Sequence, residues 1–104
     1  MSDWHNVMRA EHFESGTCEV IDVDGDNVAV FCVDGEFYAI LDRCTHAEVE
    51  LSIGDVEGHE VICPMHGARF CLKSGKAMTP PAYEDVDCYP VRVEDGMVQV
   101  KSIL

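Results

Sequence analysis

Cys44-Thr45-His46 and, with sixteen residues between that histidine and the next motif, Cys63-Pro64-Met65-His66-Gly67 decide how this chain is read. Each stretch is a cysteine followed closely by a histidine. Brought together, Cys44, His46, Cys63 and His66 offer two thiolates and two imidazoles, a four-coordinate metal site. Thiolate and imidazole suit zinc, iron and iron–sulfur centres rather than hard cations, which take oxygen ligands. A C-x-H pair in a tight turn does not easily place both side chains on one metal ion. Two such loops facing one another, each giving one Cys and one His, meet the need.

The flanking sequence sets these loops on strands. Thr17–Val23, Asn27–Val33 and Glu36–Leu41 read as three strands, and the third runs directly into Cys44. Asp24-Gly25-Asp26 reads as a turn. Asp34-Gly35 between apolar runs is a strong hairpin signal, because Asp-Gly accepts the positive φ of a type I′ turn. Val28-Ala29-Val30-Phe31-Cys32-Val33 is the longest apolar run and predicts a buried strand. The stretch 51–58 reads as turn-rich, with Gly54 and Gly58 as breakers. Glu60-Val61-Ile62 is a short strand that delivers Cys63, and Ala68–Leu72 predicts another after the second loop. Lys73-Ser74-Gly75-Lys76 reads as a turn and Thr79-Pro80-Pro81 as an ordered loop, since proline has no backbone donor for a central strand. Tyr89–Glu94 and Met97–Lys101 form a last hairpin across Asp95-Gly96, with Val91, Val93, Val98 and Val100 as its apolar residues. Trp4–Glu14 reads as a short strand around Val7 and Met8, then a loop. No amphipathic helix of ten residues stands out. The class expected is all-β: small antiparallel sheets in a sandwich or partly open barrel, with the ligand loops at one end.

The chain has 104 residues and predicts one domain, 1–104, with the ligand loops at about 43–70. There is no room beside a metal site for a second catalytic domain. The net charge of −13 excludes nucleic acid and anionic membrane as expected partners, because phosphate binding needs Lys and Arg patches. It fits a partner with a basic docking face, held by an attraction that weakens with salt. No apolar stretch approaches a membrane span. Met1–His5 lacks the pattern of a signal peptide, so a cytoplasmic location and free or metal-bound thiols are expected. Cys18, Cys32, Cys71 and Cys88 lack short paired spacing and read as small core fillers. His5, His12 and His59 lack ligand spacing and read as surface residues. Arg43, Glu48, Glu50 and Arg69 lie beside the ligand loops, either shaping a docking face or simply solvated.

The ligand set and its spacing resemble the Rieske family, which holds a [2Fe–2S] cluster with two Cys on one iron and two His on the other. Gly75, the Thr79-Pro80-Pro81 loop and the last hairpin also look like the family, so the resemblance runs from about Tyr38 to Lys101. It implies that Cys44 and Cys63 hold the inner iron and that His46 and His66 hold the outer iron near solvent. It implies that Pro80 and Pro81 shield the cluster from behind. Gly67 would let backbone approach the cluster at positive φ, and Pro64 would stiffen the second loop. Among such proteins, this chain looks like the soluble ferredoxins serving bacterial aromatic-ring-hydroxylating dioxygenases. The function implied is a one-electron carrier between an NAD(P)H-dependent flavin reductase and a terminal oxygenase. It would be a monomer, not itself an enzyme, docking transiently at the His46/His66 end. Two other readings of the same residues are a redox-sensing subunit and, less favoured, a structural zinc module.

High-potential Rieske proteins of respiratory complexes carry an extra Cys in each ligand loop, joined as a disulfide, and Ser and Tyr hydroxyls after the second His. Here the matching places hold Val49 and Met65, then Ala68 and Phe70. Fewer hydrogen bonds to sulfur stabilise the reduced cluster less. Potentiometric titration is therefore expected to give a midpoint toward the low end of the Rieske range, roughly −150 mV. A midpoint above zero would contradict this.

Overall fold

The computed structural model describes residues 3–44, 49–65, 67–79 and 84–103. Its strands are β1 Trp4–Arg9, β2 Cys18–Val23, β3 Asp26–Val33, β4 Glu36–Leu41 and β5 Asp55–Glu57, followed by β6 Glu60–Ile62, β7 Arg69–Cys71, β8 Cys88–Tyr89, β9 Val91–Glu94 and β10 Met97–Lys101. They form three open antiparallel sheets, in the orders β2-β3-β4-β8, β1-β10-β9 and β5-β6-β7. The helical elements among the described residues are single 3-10 turns at Ala10–His12 and Leu51–Ile53. The all-β expectation holds, as separate small sheets rather than a closed barrel.

Three Asp-Gly pairs set the hairpins. Asp24, Asp34 and Asp95 have φ of 54°, 51° and 51°, and the glycine after each is also at positive φ. Two successive left-handed residues make a type I′ turn, whose twist matches that of the flanking strands. Each pair joins antiparallel neighbours: β2 to β3, β3 to β4, and β9 to β10.

β3 organises everything else. Val28 to Val33 are all buried, so both faces of this strand are covered. Alternation along a strand sends successive side chains to opposite faces. Val28, Val30 and Cys32 pack with Val98, Val100, Phe13 and Tyr89, toward the β1-β10-β9 sheet. Ala29, Phe31 and Val33 pack with Leu51, Val61, Phe70 and Leu72, toward the β5-β6-β7 sheet. β4 repeats the division, with Ala39 in the first core and Ile40 in the second. One central strand thus joins a base to the part of the molecule that carries the ligand loops.

The structure departs from sequence expectation in several places. Tyr89–Glu94 is two strands, not one: β8 pairs with β4, whereas β9 pairs with β10. Pro90 stands between them, and with no N–H it ends one ladder where the chain crosses to the other sheet. Val93 is 48% exposed, so it is not part of the apolar interior, unlike Val98 and Val100. The turn-rich reading of 51–58 misses β5, a three-residue strand between two glycines. The short strand around Val7 and Met8 is a six-residue β1, held by pairing with β10 rather than by its own pattern. Phe13 beyond it is buried, with its ring 5.3 Å from that of Phe37.

This division predicts unequal costs. Phe31→Ala should destabilise the protein by about 3–5 kcal/mol, since a fully packed ring leaves a cavity in the second core. Val93→Ala should cost less than about 0.5 kcal/mol. Urea unfolding of the two variants checks both.

Candidate metal centre

Both expected cysteine ligands lie in the second core. Cys44 and Cys63 are each 1% exposed and share one apolar cluster with Leu51, Val61, Ala68, Phe70, Leu72 and Val86. Neither is in a disulfide. The two loops close in the same way. The Cys44 N–H donates to the Val49 carbonyl at 2.9 Å, and the Cys63 N–H donates to the Ala68 carbonyl at 2.7 Å. In each case the cysteine bonds to the residue five positions on, and its histidine lies inside the closed span. His46 and His66 themselves lie outside the described residues, as do Thr45, Ala47, Glu48, Pro80 and Pro81.

The second loop springs from adjacent strands. Ile62 pairs with Arg69 at its base, and the Gly67 N–H returns to the Cys63 carbonyl at 3.0 Å. Gly67 has φ of +74°, as its place after the histidine suggests, and a methyl group there would meet nothing within 4 Å. Ala68 and Phe70 are fully buried, and neither side chain carries a hydroxyl. Behind this loop the Arg69 N–H donates to the Thr79 hydroxyl at 3.0 Å, and Met78 and Cys71 bond back across the same turn. Gly75 is needed there: at φ +78°, a Cβ would sit 2.0 Å from the Val86 carbonyl oxygen.

The donor chemistry fits an iron–sulfur group. Two sulfurs at the bases of paired loops, in an apolar surround, suit a soft, cationic partner, because buried charge is tolerated only when compensated. Among the described residues no group of three or more His, Cys, Asp or Glu is arranged to hold a metal ion. His5, His12 and His59 are thus in no alternative cluster, and His59 instead packs edge-on against Tyr38 at 5.6 Å.

Two charged residues near the loops, Arg69 and Asp42, are committed to partners. Arg69 pairs with Glu57 at 3.2 Å and Glu60 at 3.3 Å, which raises its pKa further. Its charge is therefore spent across β5-β6-β7 rather than presented outward. Asp42, two residues before Cys44, is buried and accepts two hydrogen bonds from Ser52. Sequence reading missed it. The only available signal was an acidic residue immediately after an apolar strand.

Of the four remaining cysteines, only Cys32 is a buried filler; Cys18, Cys71 and Cys88 are half-buried. The reason is topological, since β2, β7 and β8 are all edge strands. Burial, with Asp42 and Glu19 nearby, pushes the Cys18 thiol up to about 12. Burial also raises Cys88. At Cys71 burial acts upward too, but hydrogen bonds from the Ser74 hydroxyl and the Lys73 and Ser74 amides outweigh it and leave the thiol below its ordinary value.

The model of the Rieske [2Fe-2S] domain family matches residues 3–90, and the chain belongs to that family. The match begins well before Tyr38, where the resemblance becomes visible by eye, and ends before the last hairpin. The ferredoxin component of the naphthalene 1,2-dioxygenase/salicylate 5-hydroxylase systems of a Ralstonia species is 34% identical over 99 residues, 95% of each chain. The 3-phenylpropionate/cinnamic acid dioxygenase ferredoxin subunit of Escherichia coli (strain K12) is 50% identical over 70 residues, 66% of each chain. Among solved structures, the ferredoxin of carbazole 1,9a-dioxygenase from Nocardioides aromaticivorans IC177 superposes with a TM-score of 0.90 at 31% identity, covering 94% of this chain and 96% of that one. A complex of reduced oxygenase and oxidized ferredoxin in carbazole 1,9a-dioxygenase gives a TM-score of 0.91 at 31% identity, covering 97% and 94%. The cofactor is a Rieske-type [2Fe–2S] cluster, and the relatives named are ferredoxin components of dioxygenase systems.

Thiolate, not thiol, reacts with alkylating agents. In cluster-loaded protein treated with iodoacetamide at pH 8, Cys71 should therefore label first and Cys88 later. Cys18, only about one part in 10⁴ ionised at that pH given a pKa near 12, should label last among the half-buried thiols. Peptide mass spectrometry over time checks the order.

Proposed function

We propose that this chain is a one-electron carrier of a ring-hydroxylating dioxygenase system, with Cys44 and Cys63 on one iron and His46 and His66 on the other. The observation that carries the assignment is the shared closure of the two loops, each with a buried cysteine at its base and a histidine within its span. When bound, the cluster supplies reversible one-electron redox chemistry, at a potential raised above that of an all-cysteine cluster by its neutral imidazoles. The residues around it supply the rest. Leu51, Val61, Phe70 and Leu72 exclude water from the cysteine side. The paired Cys44 and Cys63 amide bonds fix the loop bases.

The donor in this reading is an NAD(P)H-dependent flavin reductase and the acceptor a terminal oxygenase, both docking transiently at the His46/His66 end. Met65, next to His66 in the chain, is 57% exposed and offers adaptable apolar contact area beside it. The charge of −13 suits basic docking faces and an association rate that falls with salt. The chain would work as a cytoplasmic monomer; no described helix is long and apolar enough to cross a membrane.

Anaerobically purified protein should contain iron and acid-labile sulfide in equal amounts. His46→Ala and His66→Ala should each abolish the visible spectrum and the EPR signal of the reduced protein. With a flavin reductase and a ring-hydroxylating oxygenase, the wild-type chain should support NAD(P)H-dependent turnover that slows as salt rises. Colourless protein holding zinc, or a His46→Ala protein with native spectra, would overturn the ligand assignment. A normal cluster that never supports turnover would favour a redox-sensing subunit.

A further inference from the structure

We propose that Asp42 is a positioning residue for the cluster, its buried carboxylate clasping the first ligand loop while its fixed charge holds the reduction potential down. This rests on the ligand assignment above. Asp42 is 7% exposed and is the buried charged side chain among the described residues. Its Oδ1 accepts from the Ser52 backbone N–H at 2.7 Å, and its Oδ2 accepts from the Ser52 hydroxyl at 2.8 Å. Its own N–H donates to the Asn27 carbonyl at 2.9 Å. The backbone of Asp42 is thereby tied to β3, and its side chain to the 3-10 turn Leu51–Ile53. The span enclosed by these bonds holds both Cys44 and His46.

The two loops differ at their bases in a way that explains the clasp. The second joins β6 to β7, which are hydrogen-bonded neighbours, so the ladder itself holds its ends together. The first joins the end of β4 to a 3-10 turn, with no strand pairing across its base. A side chain must do there what a ladder does in the other loop. A carboxylate with each oxygen on a separate donor fixes both distance and orientation. Ser52 satisfies both oxygens, which offsets part of the desolvation that burial of a charge entails.

The charge has a second consequence. Only two residues of chain, at most ~7 Å, separate the Cα atoms of Asp42 and Cys44. A buried charge is poorly screened by solvent or salt. One-electron reduction adds negative charge beside it, so the carboxylate opposes reduction. Such neighbours of a metal ligand are where potentials are tuned.

The test is the midpoint potential of the cluster-loaded wild type, Asp42→Asn, Ser52→Ala and Glu50→Gln, each at low salt and at 1 M salt. Glu50 is an exposed carboxylate in the same segment. Asp42→Asn should keep the native visible and EPR spectra. Its midpoint should rise by about a tenfold change in the reduction equilibrium, 59 mV for one electron, at both salt concentrations. Ser52→Ala keeps the charge but loses one donor to it, so its midpoint should fall. A purely structural clasp would instead lower the unfolding midpoint of both variants without moving their potentials in opposite directions. Glu50→Gln should shift less than half as much as Asp42→Asn, and the shift should vanish in 1 M salt. An Asp42→Asn midpoint that is unchanged or lower, or matched by Glu50→Gln, would overturn the proposal. Should Asp42→Asn fail to take up cluster, Ser52→Ala decides: a lowered midpoint supports the proposal, and an unchanged or raised one overturns it. Native spectra in these variants, set against their loss in His46→Ala and His66→Ala, separate this question from the ligand assignment.

Discussion

Burial of β3 on both faces is the constraint from which the rest of the structure follows. A strand covered on one side needs one partner layer; this one needs two, and alternation assigns its residues between them. Val28, Val30 and Cys32 hold the base sheet, and Ala29, Phe31 and Val33 hold the ligand-bearing part. A slip of one residue in the β2–β3–β4 register would exchange the two sets. The small residue Ala29 would then face the base, and Phe31 would be lost from the core beneath Cys44 and Cys63. The type I′ turns at Asp24-Gly25 and Asp34-Gly35 prevent the slip by fixing the register at both ends of β3.

The site inherits its geometry from that core. Leu51, Val61, Phe70 and Leu72 pack under both cysteines, so the two loop bases are set against one hydrophobic floor. Above the floor, each loop is closed by its own cysteine amide. Electrostatics then divides the labour between neighbours. Arg69 is neutralised by Glu57 and Glu60, whereas Asp42 keeps an inward charge satisfied by Ser52. The apolar Ala68 and Phe70 add no donors after the second histidine.

Much of this was legible in the residues themselves. The Cys-x-His and Cys-x-x-His pairs carry their chemistry in their spacing, and the Asp-Gly turns carry their geometry in a positive φ that few residue pairs accept. What was missed depends on contacts distant in sequence. β1 is extended because β10 lies beside it, and nothing in Trp4–Arg9 alone says so. The split at Pro90 reflects which sheet each half can reach, which a local alternation does not encode. Cys18, Cys71 and Cys88 look like fillers by composition, yet their strands are edges, and edge position is a property of topology. Asp42 was invisible for the same reason: a carboxylate after a strand looks solvated until Ser52 closes over it.

The central claim is that two cysteines and two histidines of this chain share one [2Fe–2S] cluster. Pulsed EPR of the reduced protein, carrying ¹⁵N only in histidine, reads it directly. The account predicts hyperfine coupling to two inequivalent histidine nitrogens in the wild-type chain, and no cluster signal from either His46→Ala or His66→Ala. A reduced-state signal with no strongly coupled histidine nitrogen would contradict it.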